Sequence, residues 1–123
     1  MHKLVVLYSK PADPDRFRDY YVTNHLPLVM NLPGPLAWRY SFDVAATKGE
    51  APYFAVFEGD FADAAAMAAA RASPQGQRVA ADVAAYATGG AVTIQAGTLR
   101  DAFGQPLRPG PAIGGRRSRL PVR

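Results

Sequence analysis

The chain has 123 residues, 49% of them hydrophobic and 20% charged, which suits one small globular domain with a core of its own. It contains no cysteine, so disulfides, thiolate metal sites and a cysteine nucleophile are excluded. The formal charge of +4 is unevenly placed: residues 1–99 hold eight Lys or Arg against nine acids, and residues 100–123 hold six arginines against Asp101 alone.

Residues 3–8 (KLVVLY) form a short apolar run, stopped by Ser9-Lys10-Pro11, and read as a strand. The run is too short for a secretory core or a bilayer span, so a cytoplasmic protein with no membrane partner is expected. Asp13 suits an N-cap, and Pro14 suits the first helical position, where its missing N–H costs nothing. From there Phe17, Tyr20, Tyr21, Asn24 and Leu28 share one arc of an α-helical wheel, with His25 at its edge. Pro27 lacks a donor and crowds the preceding turn, which predicts a kink or an end between residues 24 and 26. His25 is thereby expected at a break where a cleft can open.

Leu32-Pro33-Gly34-Pro35 predicts a turn. Residues 36–44 (LAWRYSFDV) alternate, with Leu36, Trp38, Tyr40, Phe42 and Val44 on one face. After a loop at residues 48–52, residues 53–58 (YFAVFE) complete an antiparallel hairpin. Residues 61–72 are alanine-rich and helical by propensity. Ser73-Pro74 restarts the helix, and Val79, Val83 and Tyr86 carry its apolar face as far as Gly89-Gly90. Residues 91–98 (AVTIQAGT) read as a last strand.

The order β-α-β-β-α-β predicts an α+β fold on the ferredoxin-like plan, an antiparallel sheet with helices on one face. The first and third strands carry apolar side chains on both faces, and helices can cover only one. A second copy packed sheet against sheet is therefore expected, giving a homodimer. The domain is drawn at residues 1–99. Residues 100–123, rich in Pro, Gly and Arg, are expected to be extended or disordered, with Phe103, Leu107 and Ile113 as candidates to pin them down. The basicity lies in that tail alone, so nucleic acid is not an expected partner.

Neither a G-x-G-x-x-G after a strand nor a P-loop occurs, and no Gly-x-Ser-x-Gly elbow is present. With two histidines, one of them at the start, no metal and no cofactor is expected. His25 is the candidate proton shuttle, since imidazole titrates near neutrality; the alternative is a histidine that caps broken-helix carbonyls. Asp82 lies on the helix that should pack near the first. If it reaches His25, it fixes the tautomer and raises the imidazole pKa; otherwise it is an ordinary exposed acid. Of Tyr8, Tyr20, Tyr21, Tyr40 and Tyr53, Tyr8 and Tyr21 are the choices for hydroxyl handles in an apolar pocket, the others reading as core aromatics. Asn24 is a candidate to polarise a carbonyl or enolate oxygen, and Trp38 a candidate pocket wall that serves equally well in a core or dimer interface.

The chain resembles the EthD family. The likeness rests on Tyr8 at a strand end, Asp-Pro-x-x-Phe-x-x-Tyr-Tyr at residues 13–21, and His-x-Pro-Leu before Leu-Pro-Gly at residues 25–34. In the second half it rests on Ser73-Pro74 and a helix carrying Asp82, an aromatic residue and Gly-Gly. The resemblance covers roughly residues 2–99 and not the tail. It implies the dimeric α/β-barrel, and a pocket for a small apolar or aromatic catabolic intermediate. It also implies a cofactor-free isomerase, oxygenase or reductase-type role with His25 as acid or base, the fold alone naming no reaction. A non-catalytic carrier using the same pocket, or a tail that docks a partner, are the alternatives.

Overall fold

A run of nearly continuous apolar sequence, His2–Tyr8, forms the interior strand β1 of the computed structural model, which describes residues 1–109. β1 lies between β3 (Ala55–Phe61) and β4 (Ala91–Ala96), and β2 (Ala37–Ser41) pairs with the far side of β3. All three pairings are antiparallel, in the order β2-β3-β1-β4. Register decides the faces, because successive side chains alternate. Val6 sits opposite both Phe57 and Thr93, and Tyr40 opposite Phe57, so Leu4, Val6 and Tyr8 share a face with Trp38, Tyr40, Ala55 and Phe57.

Helices α1 (Pro14–Tyr20), α2 (Leu26–Met30), α3 (Ala64–Ala72) and α4 (Pro74–Asp82) cover that face. One core cluster gathers Tyr8, Phe17, Tyr21, Leu26, Val29, Trp38, Phe57 and Tyr86; a smaller one holds Leu4, Phe61, Met67 and Ala70. This is the ferredoxin-like α+β architecture expected from the element order.

The first helix departs from expectation in an instructive way. It neither ends nor breaks before Pro27; α1 runs through a π turn (Tyr21–His25) into α2. The Leu26 N–H donates to the Tyr21 carbonyl five residues back, the widened closure of a π turn. Pro27 has no N–H to give, and its ring crowds the carbonyl four residues back; the wider turn opens the ladder at that place. Phe17, Tyr21, His25 and Val29 are all buried. Such four-residue steps drift by about 40° each on a regular α-helix. The π turn absorbs the drift, so it brings His25 inward and leaves Asn24 exposed, the reverse of the α-helical wheel.

Two boundaries also move. β3 is shifted from the expected residues 53–58 to Ala55–Phe61, so Phe61 is strand, not helix. Asp63 is the N-cap that starts α3, its side chain accepting from the Ala66 N–H at 2.8 Å. The start of the tail is ordered by hydrogen bonds: Leu107 N–H donates to the Leu99 carbonyl, and the Met1 amino group to the Leu107 carbonyl. Asp101 holds the intervening turn through its side chain. Phe103, a candidate pin, is 88% exposed at this turn and pins nothing in the domain. Ile113 and the arginine-rich end lie outside the described residues.

The helix-free face of the sheet is divided. Arg39 makes a two-pronged contact with Asp60 (3.0 and 3.1 Å) and a third bond to Glu58, which Lys3 also reaches. Beside this network Val5, Leu7, Val56, Val92 and Ile94 form an apolar strip, with Val92 and Ile94 46% and 42% exposed.

Candidate functional site

His25 is buried, and its partner comes from the far end of α4. Nδ1 lies 3.0 Å from Oδ2 of Asp82, and the other carboxylate oxygen accepts the Tyr20 hydroxyl at 2.8 Å. Residues five apart would face about 140° away from each other on an α-helix. The π turn between Tyr20 and His25 brings both onto one acid. An ionised carboxylate only accepts, so Nδ1 carries the proton and Nε2 keeps its lone pair. Burial lowers the His25 pKa from its ordinary value, and Asp82 opposes that shift through the hydrogen bond and its charge. The imidazole is thus a neutral base at physiological pH, oriented from behind.

Aromatic rings fix its position. Tyr86, just past α4, stands 4.7 Å from the imidazole between centroids, and Tyr21 stands 5.2 Å away. The hydroxyls of Tyr86 and Tyr8 are hydrogen-bonded to each other at 2.8 Å. Burial raises the pKa values of Tyr8, Tyr21 and Tyr86, so all three remain phenols.

His25 and Tyr8 open onto a cavity of about 100 Å³ between the sheet and helices α2 and α4. Leu4, Val6, Val29, Phe57, Val79 and Val83 make it largely apolar. Its buried floor holds His25, Tyr8, Val29 and Phe57, while Arg71, Ala80 and Thr93 are exposed and mark the mouth.

The structure therefore unites His25, Asp82 and Tyr8, and parts them from the other candidates. Tyr21 packs behind the site, its buried hydroxyl without a partner, and does not line the cavity. Asn24 is exposed and Trp38 is stacked on Phe57 in the core; neither lines the cavity. Asn24 was misplaced by an α-helical wheel across a π turn. Trp38 follows its strand face into packing, away from His25. Sequence reasoning set Tyr20 aside as a core aromatic, read Tyr86 only as part of an apolar helix face, and passed over Arg71. The spacing of Asp82 and Tyr86, one helical turn apart, was a usable signal for Tyr86; nothing local marked Arg71. Among the described residues no group of three His, Asp or Glu is placed to hold a metal ion. No helix among them is long and apolar enough to cross a membrane.

Comparison with known proteins agrees with this architecture. The family model of the EthD domain matches residues 9–90. The chain is 32% identical over 94 residues to an uncharacterised 11.0 kDa protein from the thcB-thcC intergenic region of Rhodococcus erythropolis, covering 76% of this chain and 91% of that one. An EthD family protein of Bacillus halodurans has a similar structure, with a TM-score of 0.74 and 23% identity, over 80% of this chain and 99% of that one. A dimeric ferredoxin-like protein of unknown function from Thermobifida fusca matches with a TM-score of 0.61 and 14% identity, over 78% and 89% of the two chains. With the family model matching residues 9–90, two thirds of the chain, the chain belongs to the EthD family.

Proposed function

We propose that this protein binds a small, largely apolar carbonyl compound in the cavity and moves a proton on it without a cofactor, His25 acting as the base. The observation that carries this reading is the Asp82–His25 hydrogen bond at 3.0 Å beneath an apolar cavity that His25 lines. In the proposed step, Nε2 takes a proton from carbon next to the carbonyl, and the C–H electron pair moves onto the carbonyl oxygen as an enolate. The imidazolium that forms is paired with Asp82. The Tyr8–Tyr86 pair shares one hydrogen bond between two hydroxyls, which leaves one proton to donate to the enolate oxygen. Return of the proton to another carbon completes an isomerisation, and its return to the same carbon exchanges hydrogen with solvent.

Size narrows the ligand. At about 100 Å³ the cavity is smaller than the ~150 Å³ that holds benzene in an engineered core. The enclosed portion is therefore a short or branched chain, or part of a ring whose remainder reaches the mouth. The test is hydrogen–deuterium exchange into a panel of short enolisable ketones and esters in D₂O, with crystals soaked in the same compounds. Catalysed exchange, with ligand density at hydrogen-bond distance from His25, is expected. Density in the cavity without exchange would leave a carrier; an empty cavity at saturating ligand would end the reading.

The same proposal includes a homodimer in the cytoplasm, closed through the helix-free face. The apolar strip at Val5, Leu7, Val56, Val92 and Ile94, and the similarity to a protein described as dimeric, support it. A carboxylate at the centre of such an interface has no partner and cannot be desolvated cheaply. Ile94→Asp is expected to halve the mass measured by light scattering with the circular dichroism unchanged; an unaltered mass would remove this interface.

A further inference from the structure

We infer that the ligand carries a carboxylate, and that Arg71 at the cavity mouth receives it. The inference rests on the proposed binding role of the cavity and names the chemistry of its occupant. Among the described residues thirteen line the cavity, and of these Arg71 is the one fixed cation and none is an acid. Three other arginines of the domain have partners: Arg39 holds Asp60 and Glu58, Arg18 holds Asp15, and Arg16 donates to the Ala85 carbonyl; Arg78 is exposed on α4 and does not line the cavity. Among the described residues Arg71 makes neither a hydrogen bond nor an ion pair. A guanidinium presents a planar fork that matches a carboxylate with two parallel bonds.

The backbone around Arg71 favours the same charge. Arg71 lies in the last turn of α3, and α4 begins at Pro74, so the positive end of the α4 dipole sits at the same mouth. Gly76, in the first turn of α4, is itself part of the cavity wall. A Cβ there would come within 2.1 Å of the Ala70 carbonyl and 2.7 Å of the Arg71 carbonyl, so only glycine lets the first turn of α4 come this close. Two of the α3 carbonyls at this end are already engaged: Ala70 accepts the Ser73 hydroxyl, and Ala72 accepts the Gln77 side chain. The cavity is thus polarised, with a cation and a helix start at its mouth and a neutral imidazole on its floor. A short carboxylic acid whose apolar chain also carries the proposed carbonyl fits both ends, with its carboxylate at Arg71 and that carbonyl directed towards His25.

Paired probes test this. Sodium salts of straight and branched four- to six-carbon acids, and their primary amides, present one apolar body with a charged or a neutral head. Binding is read by NMR titration at pH 7 on the full chain. The acids are expected to bind at least tenfold more tightly than their amides, and to shift the Arg71 side-chain resonance. Arg71→Gln should abolish that preference while amide affinity changes less than threefold, and Arg71→Lys should restore part of it. Equal affinity of acid and amide for the unaltered protein would overturn the assignment of Arg71 and leave the cavity reading intact. Failure of every acid and every amide to bind would overturn both.

Discussion

Replacing His25 by alanine is expected to lower the rate of carbon–hydrogen exchange into the proposed carbonyl ligand by about 10²–10⁴-fold, the span that positioned acid–base groups supply. Among the described residues His25 is the only base lining the cavity, and Asp82 already fixes its tautomer. The pH profile gives an independent check. Burial holds the imidazole pKa below its ordinary value, so the rate should rise as the proton leaves on the acid side of about pH 6.5 and level off above it. Asp82 opposes the lowering, so Asp82→Asn should carry the rise to still lower pH as well as slowing exchange. Stability has the same sign. The unfolded chain takes up the proton at about pH 6.5 and the folded chain only below that, so stability is full above this value and falls with further acid. A loss in His25→Ala smaller than threefold, with fold and mass intact, would remove His25 from the chemistry.

The second large effect is on stability. Phe17 is 1% exposed and central to the aromatic cluster. Its ring meets Tyr8, Phe54 and Tyr86 edge-on at 5.1–5.3 Å and stacks on Tyr21 at 5.7 Å. Phe17→Ala removes the ring from neighbours that are themselves rigid and cannot collapse into the gap. The expected loss is about 3–5 kcal/mol by denaturant titration, near the upper end of core truncations. Phe17→Leu, which keeps most of the volume, should lose clearly less. A loss below about 1 kcal/mol for Phe17→Ala would mean that the cluster repacks.

Much of the fold was legible because its signals were local. Alternation marked residues 36–44 as a strand, of which Ala37–Ser41 forms one, and Asp13-Pro14 and Ser73-Pro74 marked two helix starts that the structure keeps. Where competing signals overlapped, the reading slipped: alanine propensity drew Phe61 into a helix, whereas Asp63 decides the start. The site was legible in part. His25 and Asp82 could be named, but whether they touched depended on a π turn that no α-helical wheel contains. The bond of Tyr20 to Asp82 and the place of Arg71 were invisible for a related reason. Each acquires its role from a residue or a cavity that only tertiary packing brings near.

The two halves of the Asp82–His25 pair are 57 positions apart in the chain, which bears on how the protein is made. A ribosome adding about 5–20 residues per second leaves the imidazole without its acid for roughly 3–11 s after His25 is polymerised. Throughout that interval the aromatic face of the first helix has neither Tyr86 nor α4 to close over it. A nascent chain paused before residue 82 is therefore the form of this protein most exposed to chaperones and to aggregation.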